Sequence, residues 1–255
     1  MAAAAENRRT LVTGGGRGLG AAIVRALAQA GHEVTFTYRS AADEAEALVD
    51  ELAKAYPDRA FAARQIDLAD KSALAAYVQA LAAEPAYSGF VHNAGQSYDA
   101  LAVMMDQDKA ELAMQVNLWS FARLVSVLVR PMVRARYGRI AVIGSITALQ
   151  ANTGSAAYAA SKAALLGYTR TLAIETARAG VTVNYVAPGF IDTAMMTPYA
   201  KHRAVMEEQI PLRRFARVEE IAEAVAFVLS PGASYLTGAV LPVDGGLSAA
   251  IGINR

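Results

Sequence analysis

Thr13-Gly14-Gly15-Gly16-Arg17-Gly18-Leu19-Gly20 is the stretch that decides the fold. Leu11-Val12-Thr13 leads into it as a short apolar run that reads as a buried strand. A helix over 19–30 follows, with Ile23, Ala26, Leu27 and Ala30 recurring on one face and Gly31 stopping it. Glycines between a strand and a helix permit a tight turn and a close backbone approach to pyrophosphate, whose charge the helix N-terminus meets. In that context the turn predicts a dinucleotide site built from Gly14, Gly16, Arg17, Gly18, Leu19 and Gly20.

Outward from the turn, further short apolar strands are expected over 34–38, 61–66, 90–92, 140–143, 181–186 and near 239–243. Amphipathic helices lie between them, including 43–56, ended before Pro57, and the two longest, 107–135 and 155–179. Buried strands alternating with helices imply a parallel sheet covered on both faces. The expectation is an α/β fold: one doubly wound Rossmann-type domain over 9–255, with a mostly seven-stranded parallel sheet and a flexible N-terminus over 1–8. The stretch 193–214 is the least regular, with Pro198, Pro211, paired methionines and mixed charge, and reads as a flap over a site.

Composition narrows the function. The 255 residues suit one large domain, and 55% apolar against 18% charged residues supply a well-buried core. A net charge of +1 provides no global field for nucleic acid or an anionic membrane. The absence of cysteine excludes disulfides and thiolate chemistry, and His32, His92 and His202 lack the helical spacing of a metal site. The four alanines before Glu6 are too short for a signal-peptide core, and no run reaches the ~18 unbroken apolar residues of a membrane span. A cytoplasmic protein is expected.

The strand ends carry the chemistry. An NAD site usually places an acid at the end of the second strand, but Tyr38-Arg39-Ser40 has none before Asp43. Arg39 and Arg17 either converge on a 2′-phosphate or stand in solvent, and the first alternative favours NADPH/NADP+. Asp67 and Leu68 close the third strand, where Asp67 flanks the adenine edge or caps the helix from Asp70 onward. His92-Asn93-Ala94-Gly95 closes the fourth, which puts Asn93, Ala94 and Gly95 at the cofactor. Tyr158 and Lys162 are four apart on a helix, so phenol and ammonium share a face, and the cation is expected to lower the tyrosine pKa. Ser145 lies thirteen residues before Tyr158, as a turn serine or a ligand for a carbonyl oxygen. It lacks the Gly-x-Ser-x-Gly elbow of a hydrolase.

Taken in order, the turn at Thr13–Gly20, Asn93-Ala94-Gly95, Asn117, Ser145, Tyr158, Lys162 and Pro188-Gly189 resemble the short-chain dehydrogenase/reductase family across nearly the whole chain. His92 stands where that family commonly has asparagine, and is read as a packing variation. Within the family the chain is most similar to 3-oxoacyl-[acyl-carrier-protein] reductases. The resemblance implies NADPH-dependent reduction of a ketone to a secondary alcohol in fatty-acid or polyketide/polyene synthesis. Tyr158 would donate the proton and Ser145 would orient the ketone. Tyr158 and Lys162 would also touch the cofactor, with Lys162 on the nicotinamide ribose, and Asn117 would help hold a water beside Lys162. Pro188, Gly189, Ile191 and Thr193 would wrap the nicotinamide amide, Thr193 also being a candidate helix cap.

The resemblance further implies a homo-oligomer, tetramer or dimer, paired through the long helices. It also implies docking of an acyl carrier protein by arginines beside the active-site mouth, matched by Arg136 and, less directly, Arg178. Met195, Met196 and Met206 either line an acyl channel or pack as ordinary flap residues. Two other functions compete: an NADP-dependent alcohol dehydrogenase for a free small molecule, and a cofactor-sensing or scaffold subunit without turnover.

Overall fold

The computed structural model describes residues 8–250. The expected flexible N-terminus up to residue 7 and the final residues 251–255 lie outside them. Seven strands form one sheet: β1 (Arg9–Thr13), β2 (Glu33–Tyr38), β3 (Phe61–Gln65), β4 (Gly89–His92), β5 (Gly138–Ile143), β6 (Val181–Pro188) and β7 (Val240–Val243). Their order is β3-β2-β1-β4-β5-β6-β7, and every pairing is parallel.

Alternating residues along the strands feed two separate cores. Leu11, Ile140 and Val183 join one cluster, which α3 (Lys71–Ala83), α5 (Ser120–Ala135) and α6 (Ala156–Ala177) cover with Leu74, Leu124 and Leu165. Val12, Ala141 and Val186 join the other, covered by Ile23 of α1 (Gly18–Gln29), Leu48 of α2 (Ala42–Ala55) and Ile221 of α8 (Val218–Leu229). Each leucine or isoleucine so buried contributes roughly 1.5–3 kcal/mol. Strands buried on both faces need apolar residues at successive positions, which explains their short unbroken apolar runs.

The expected helix over 107–135 is three pieces end to end: α4 (Gln107–Met114), a π turn (Gln115–Trp119) and α5. An 18-residue window in Gln107–Ala135 reaches a mean hydropathy of 1.5, enough by length and composition to cross a bilayer. Yet 61% of that window is buried within the fold, so the apolar face is core. Leu112, Trp119 and Val133 on these helices and Ile174 on α6 remain exposed.

After β6 the chain runs into a 3-10 segment (Ala194–His202) and then α7 (Arg203–Gln209). The Arg203 guanidinium makes two 2.9 Å hydrogen bonds to Asp192 and one of 2.8 Å to Glu207. It also lies 4.7 Å from the centroid of the Phe215 ring.

Candidate active site

The strand order reverses between β1 and β4, so a crevice opens at their carboxyl ends, where open α/β sheets bind ligands. Asn93 holds this crevice in shape by donating its amide to the carbonyls of Thr13 (3.1 Å) and Gly14 (3.0 Å). The backbone N–H of Gly15 reaches Thr37 O at 2.7 Å, which fixes the glycine turn against the end of β2.

The turn fits a dinucleotide. Arg17 at the head of α1 gives no side-chain cap, and the first turn has no acid, so its outward N–H groups remain for an anion. Gly18 adopts φ +54°, and a Cβ built there would meet nothing within 4 Å. A Cβ on Gly20 would lie 1.9 Å from Gly14 O. The loop is thus open on its outer side and closed against itself on the inner. Arg17 and Arg39 are both exposed at the rim next to the turn. Asp67 does not cap the following helix: its carboxylate accepts from Ala69 N, while Asp70 caps α3 through Ser72 N and Ala73 N. Leu68 is buried, and its carbonyl accepts from the Gln115 amide.

Ser145 follows β5 with an extended backbone, and its hydroxyl caps the short turn Ile146–Ala148. That oxygen accepts from Thr147 N (3.1 Å) and Thr147 Oγ1 (2.9 Å). The turn reading and the ligand reading of Ser145 are therefore compatible. Tyr158 stands in the first turn of α6, where the nearby Ser145 hydroxyl favours its ionised form. Lys162, one turn on, is 2% exposed, donates to Ile143 O at 2.9 Å and lies 5.7 Å from the Tyr158 ring centroid.

The expected lowering of the tyrosine pKa is absent. Burial pushes Tyr158 up to about 12, opposed by the Ser145 hydroxyl and assisted by the Asp99 carboxylate. Burial also pulls Lys162 down to about 8. Both follow from desolvation of the charged form, which outweighs an ammonium turned toward a carbonyl rather than the phenol.

Asn117 is fully buried in the π turn, a feature frequent at functional sites. Its side chain accepts from Gln96 N (2.7 Å) and donates to Gln96 O (3.0 Å) and Ser161 Oγ (2.8 Å). Ser161 in turn donates to Tyr158 O at 2.7 Å. Pro188 ends β6, Gly189 N donates to Val243 O, and Ile191 bridges Ala216. Thr193 occupies the cap position of the next segment but makes no side-chain cap bond. Met195 is exposed, and Met196 and Met206 are half-buried.

Arg136 and Arg178, the candidate docking arginines, lie at the other end of the sheet from Ser145. Arg136 follows α5 just before β5 begins, and Arg178 follows α6 just before β6 begins. They are close to each other, Arg136 donating to Arg178 O at 3.0 Å. Both lie at the amino ends of the strands, a strand length of roughly 20 Å from Ser145 at ~3.3 Å per residue. They do not border this chain's own site.

Several residues of the site carry no local signature. The Tyr185 hydroxyl accepts from Ser145 N and donates to Lys162 O, both at 3.1 Å, so one buried phenol fixes two site elements. Asp99 accepts from Ser155 Oγ and from the Tyr199 hydroxyl. Of two cavities, one of about 90 Å3 lies beside Phe190 and Arg214, next to Gly189 and Ile191, and one of about 390 Å3 lies between Lys71 and Trp119. Among the described residues no cluster of His, Asp or Glu is arranged for a metal.

A doubly wound sheet with this turn and a Ser/Tyr/Lys set at its carboxyl edge defines a nicotinamide-dependent oxidoreductase class. Residues 14–248 match the family described as Enoyl-(Acyl carrier protein) reductase. The chain is 40% identical over 247 residues to a 3-oxoacyl-[acyl-carrier-protein] reductase of Pseudomonas aeruginosa, covering 95% of this chain and 98% of that protein. A short-chain dehydrogenase/reductase structure from Serratia marcescens superposes with a TM-score of 0.88 at 36% identity, covering 95% of this chain and 98% of that one. A blue fluorescent protein from a metagenomic library, solved with NADPH, gives 0.86 at 38% identity, covering 94% and 97%. The chain belongs to the short-chain dehydrogenase/reductase family.

Proposed function

We propose that the protein is an NADPH-dependent 3-oxoacyl-[acyl-carrier-protein] reductase of fatty-acid synthesis. The observation that carries the proposal is the gathering of Ser145, Tyr158 and, one turn on, Lys162 at the strand ends that also hold the glycine turn. The 40% identity to a reductase of that name supports the substrate class.

Bound NADPH supplies the hydride. Gly14, Gly16, Gly18, Leu19 and Gly20 would hold its pyrophosphate, Arg17 and Arg39 its 2′-phosphate, and Asp67, Leu68, Asn93, Ala94 and Gly95 would border the adenosine half. Pro188, Gly189, Ile191 and Thr193 would flank the nicotinamide end. Ser145 would donate to the ketone oxygen: both bonds from Thr147 use its lone pairs, and its one proton, which faces Tyr158 in the free site, would turn to the substrate. Tyr158, pushed up to about 12, is a neutral phenol at physiological pH and therefore holds a proton to give to the developing alkoxide. Lys162 remains largely protonated at neutrality and holds its charge against Ile143 O, 5.7 Å from the Tyr158 ring centroid, where by the family resemblance it would bind the nicotinamide ribose. Asn117, through Ser161, fixes the backbone of Tyr158.

A cytoplasmic location and a homo-oligomeric state belong to the same reading, the latter supported by the exposed Leu112, Trp119 and Ile174 on the long helices. The stretch 193–214 serves as a substrate cover, tied down by Arg203 and by the Tyr199–Asp99 bond. The family description names enoyl reduction instead, which makes that the second reading. Rates of NADPH oxidation on 3-oxoacyl and enoyl thioesters, each free and on carrier protein, separate the readings. Turnover of the 3-oxoacyl form, faster on the carrier, is expected; turnover of the enoyl form alone would overturn the proposal.

A further inference from the structure

We propose that His92 is a positioning residue for the reaction: a neutral ring, protonated on Nε2, that ties the glycine turn at Thr13 to the π turn carrying Asn117. The inference rests on the ketone-reductase reading above. Packing accounts for the ring of His92, which lies 6.2 Å from Phe90 and 5.2 Å from Phe121 between centroids. It does not account for the two nitrogens.

Each nitrogen has one partner, and those partners fix the proton. Nε2 lies 3.1 Å from the backbone oxygen of Asn117, which can only accept, so Nε2 carries the hydrogen. Nδ1 lies 3.2 Å from Thr13 Oγ1 and is then an acceptor, so the Thr13 hydroxyl donates to it. The same Thr13 oxygen accepts from Asn93 N and Ala94 N, both at 3.1 Å, which uses its two lone pairs. Every donor and acceptor in the set is matched once. A proton added at Nδ1 would face an oxygen with no lone pair left. It would also be buried, and near the Lys162 charge, so the ring is held well below the usual range, at about 3.

The consequence is two hydrogen-bonded segments joined through Asn117, whose backbone oxygen meets His92 and whose side-chain amide meets Ser161. They run from Thr13 to His92 and Asn117, then through Ser161 to the backbone of Tyr158. One end orders the turn for the cofactor, and the other sets the helix that presents the proton donor. An asparagine at position 92 offers the same pair of groups, an N–H and a carbonyl, on a shorter arm. Phenylalanine offers only the ring.

The test begins with the unmodified protein. Side-chain nitrogen NMR, with the His92 signal assigned by its loss in His92→Asn, should show a neutral Nε2–H ring down to about pH 5. His32, pushed down to about 4 and bonded to Thr10 instead, must be separated from it by that assignment. In steady-state assays His92→Phe should lose about tenfold or more in kcat, and His92→Asn should recover to within about threefold of the original. Leu81→Ala, a core truncation away from the site, serves as a stability control and should keep kcat per folded molecule. A ring that charges above pH 5, an Nδ1–H tautomer, or a folded phenylalanine variant with unchanged kcat would overturn the inference. If His92→Phe does not fold, the tautomer decides alone. A protein that reduces no ketone would sink the parent reading, whereas the tautomer is read without substrate.

Discussion

Replacing Tyr185 with phenylalanine removes one oxygen and tests how the site is held. The ring itself must stay, because a Cβ on Gly144 would already come within 2.0 Å of it and the side chain is fully buried. Without the hydroxyl, Ser145 N loses its acceptor. Lys162 O loses a second donor but keeps its place in the hydrogen-bond ladder of α6. The net loss is one orphaned buried N–H, which costs about 1–3 kcal/mol. Taking about 2 kcal/mol, and about 2–4 °C per kcal/mol for a domain of this size, Tm should fall by about 4–8 °C. Activity should fall further than stability implies, because Ser145 is no longer pinned relative to Lys162. A displacement of ~1 Å in such a group costs up to ~100-fold, so kcat should drop by about 10- to 100-fold while NADPH affinity changes little. Thermal unfolding by circular dichroism, steady-state rates and NADPH titration measure the three quantities. A Tm within about 1 °C and a kcat within about twofold of the original would show that the hydroxyl bridge holds nothing.

Lys162, near 8, is charged below that pH and neutral above it, while Tyr158, near 12, stays protonated throughout. Reduction measured as kcat/KM should therefore decline above pH 8, and a flat profile to pH ~10 would contradict the assignment. Stability runs the other way: an unfolded lysine titrates near ~10.4, so between pH 8 and ~10 the unfolded chain binds more protons and stability rises with pH. Urea unfolding across that window checks the sign. Arg39→Asp should cut the preference for NADPH over NADH by about 10- to 100-fold, read as the ratio of kcat/KM values. An unchanged ratio would return Arg39 to solvent. Gly20→Ala should abolish NADPH binding in a folded protein or prevent folding, because its Cβ would meet a backbone oxygen at 1.9 Å. Normal NADPH affinity would refute the account of the turn.

The sheet was legible because each strand is a short apolar run with a turn or helix signal beside it, and such signals are local. The glycine turn was legible for the same reason. What the sequence hid depends on distance along the chain or on one extra residue per turn. Periodicity read 107–135 as one helix, since a single π turn shifts the pattern too little to see. Tyr185 meets Ser145 across forty residues, and His92 meets Thr13 across seventy-nine. Only the strand order brings those pairs together. Arg136 and Arg178 were matched by position alone, and only the fold places them at the amino ends of β5 and β6. The tyrosine pKa was misjudged because helix spacing placed the ammonium near the phenol but could not reveal that both are desolvated.

The central claim is that Tyr158 gives its proton to a 3-oxoacyl ketone reduced by NADPH. Loss of NADPH absorbance with a 3-oxoacyl carrier-protein substrate, compared between the original protein and Tyr158→Phe, tests it most directly. The account predicts steady turnover by the original. It predicts a fall of at least ~100-fold in the variant, with NADPH still bound. A phenylalanine variant that turns over at the original rate, or an original protein that binds NADPH and leaves the ketone untouched, would contradict it.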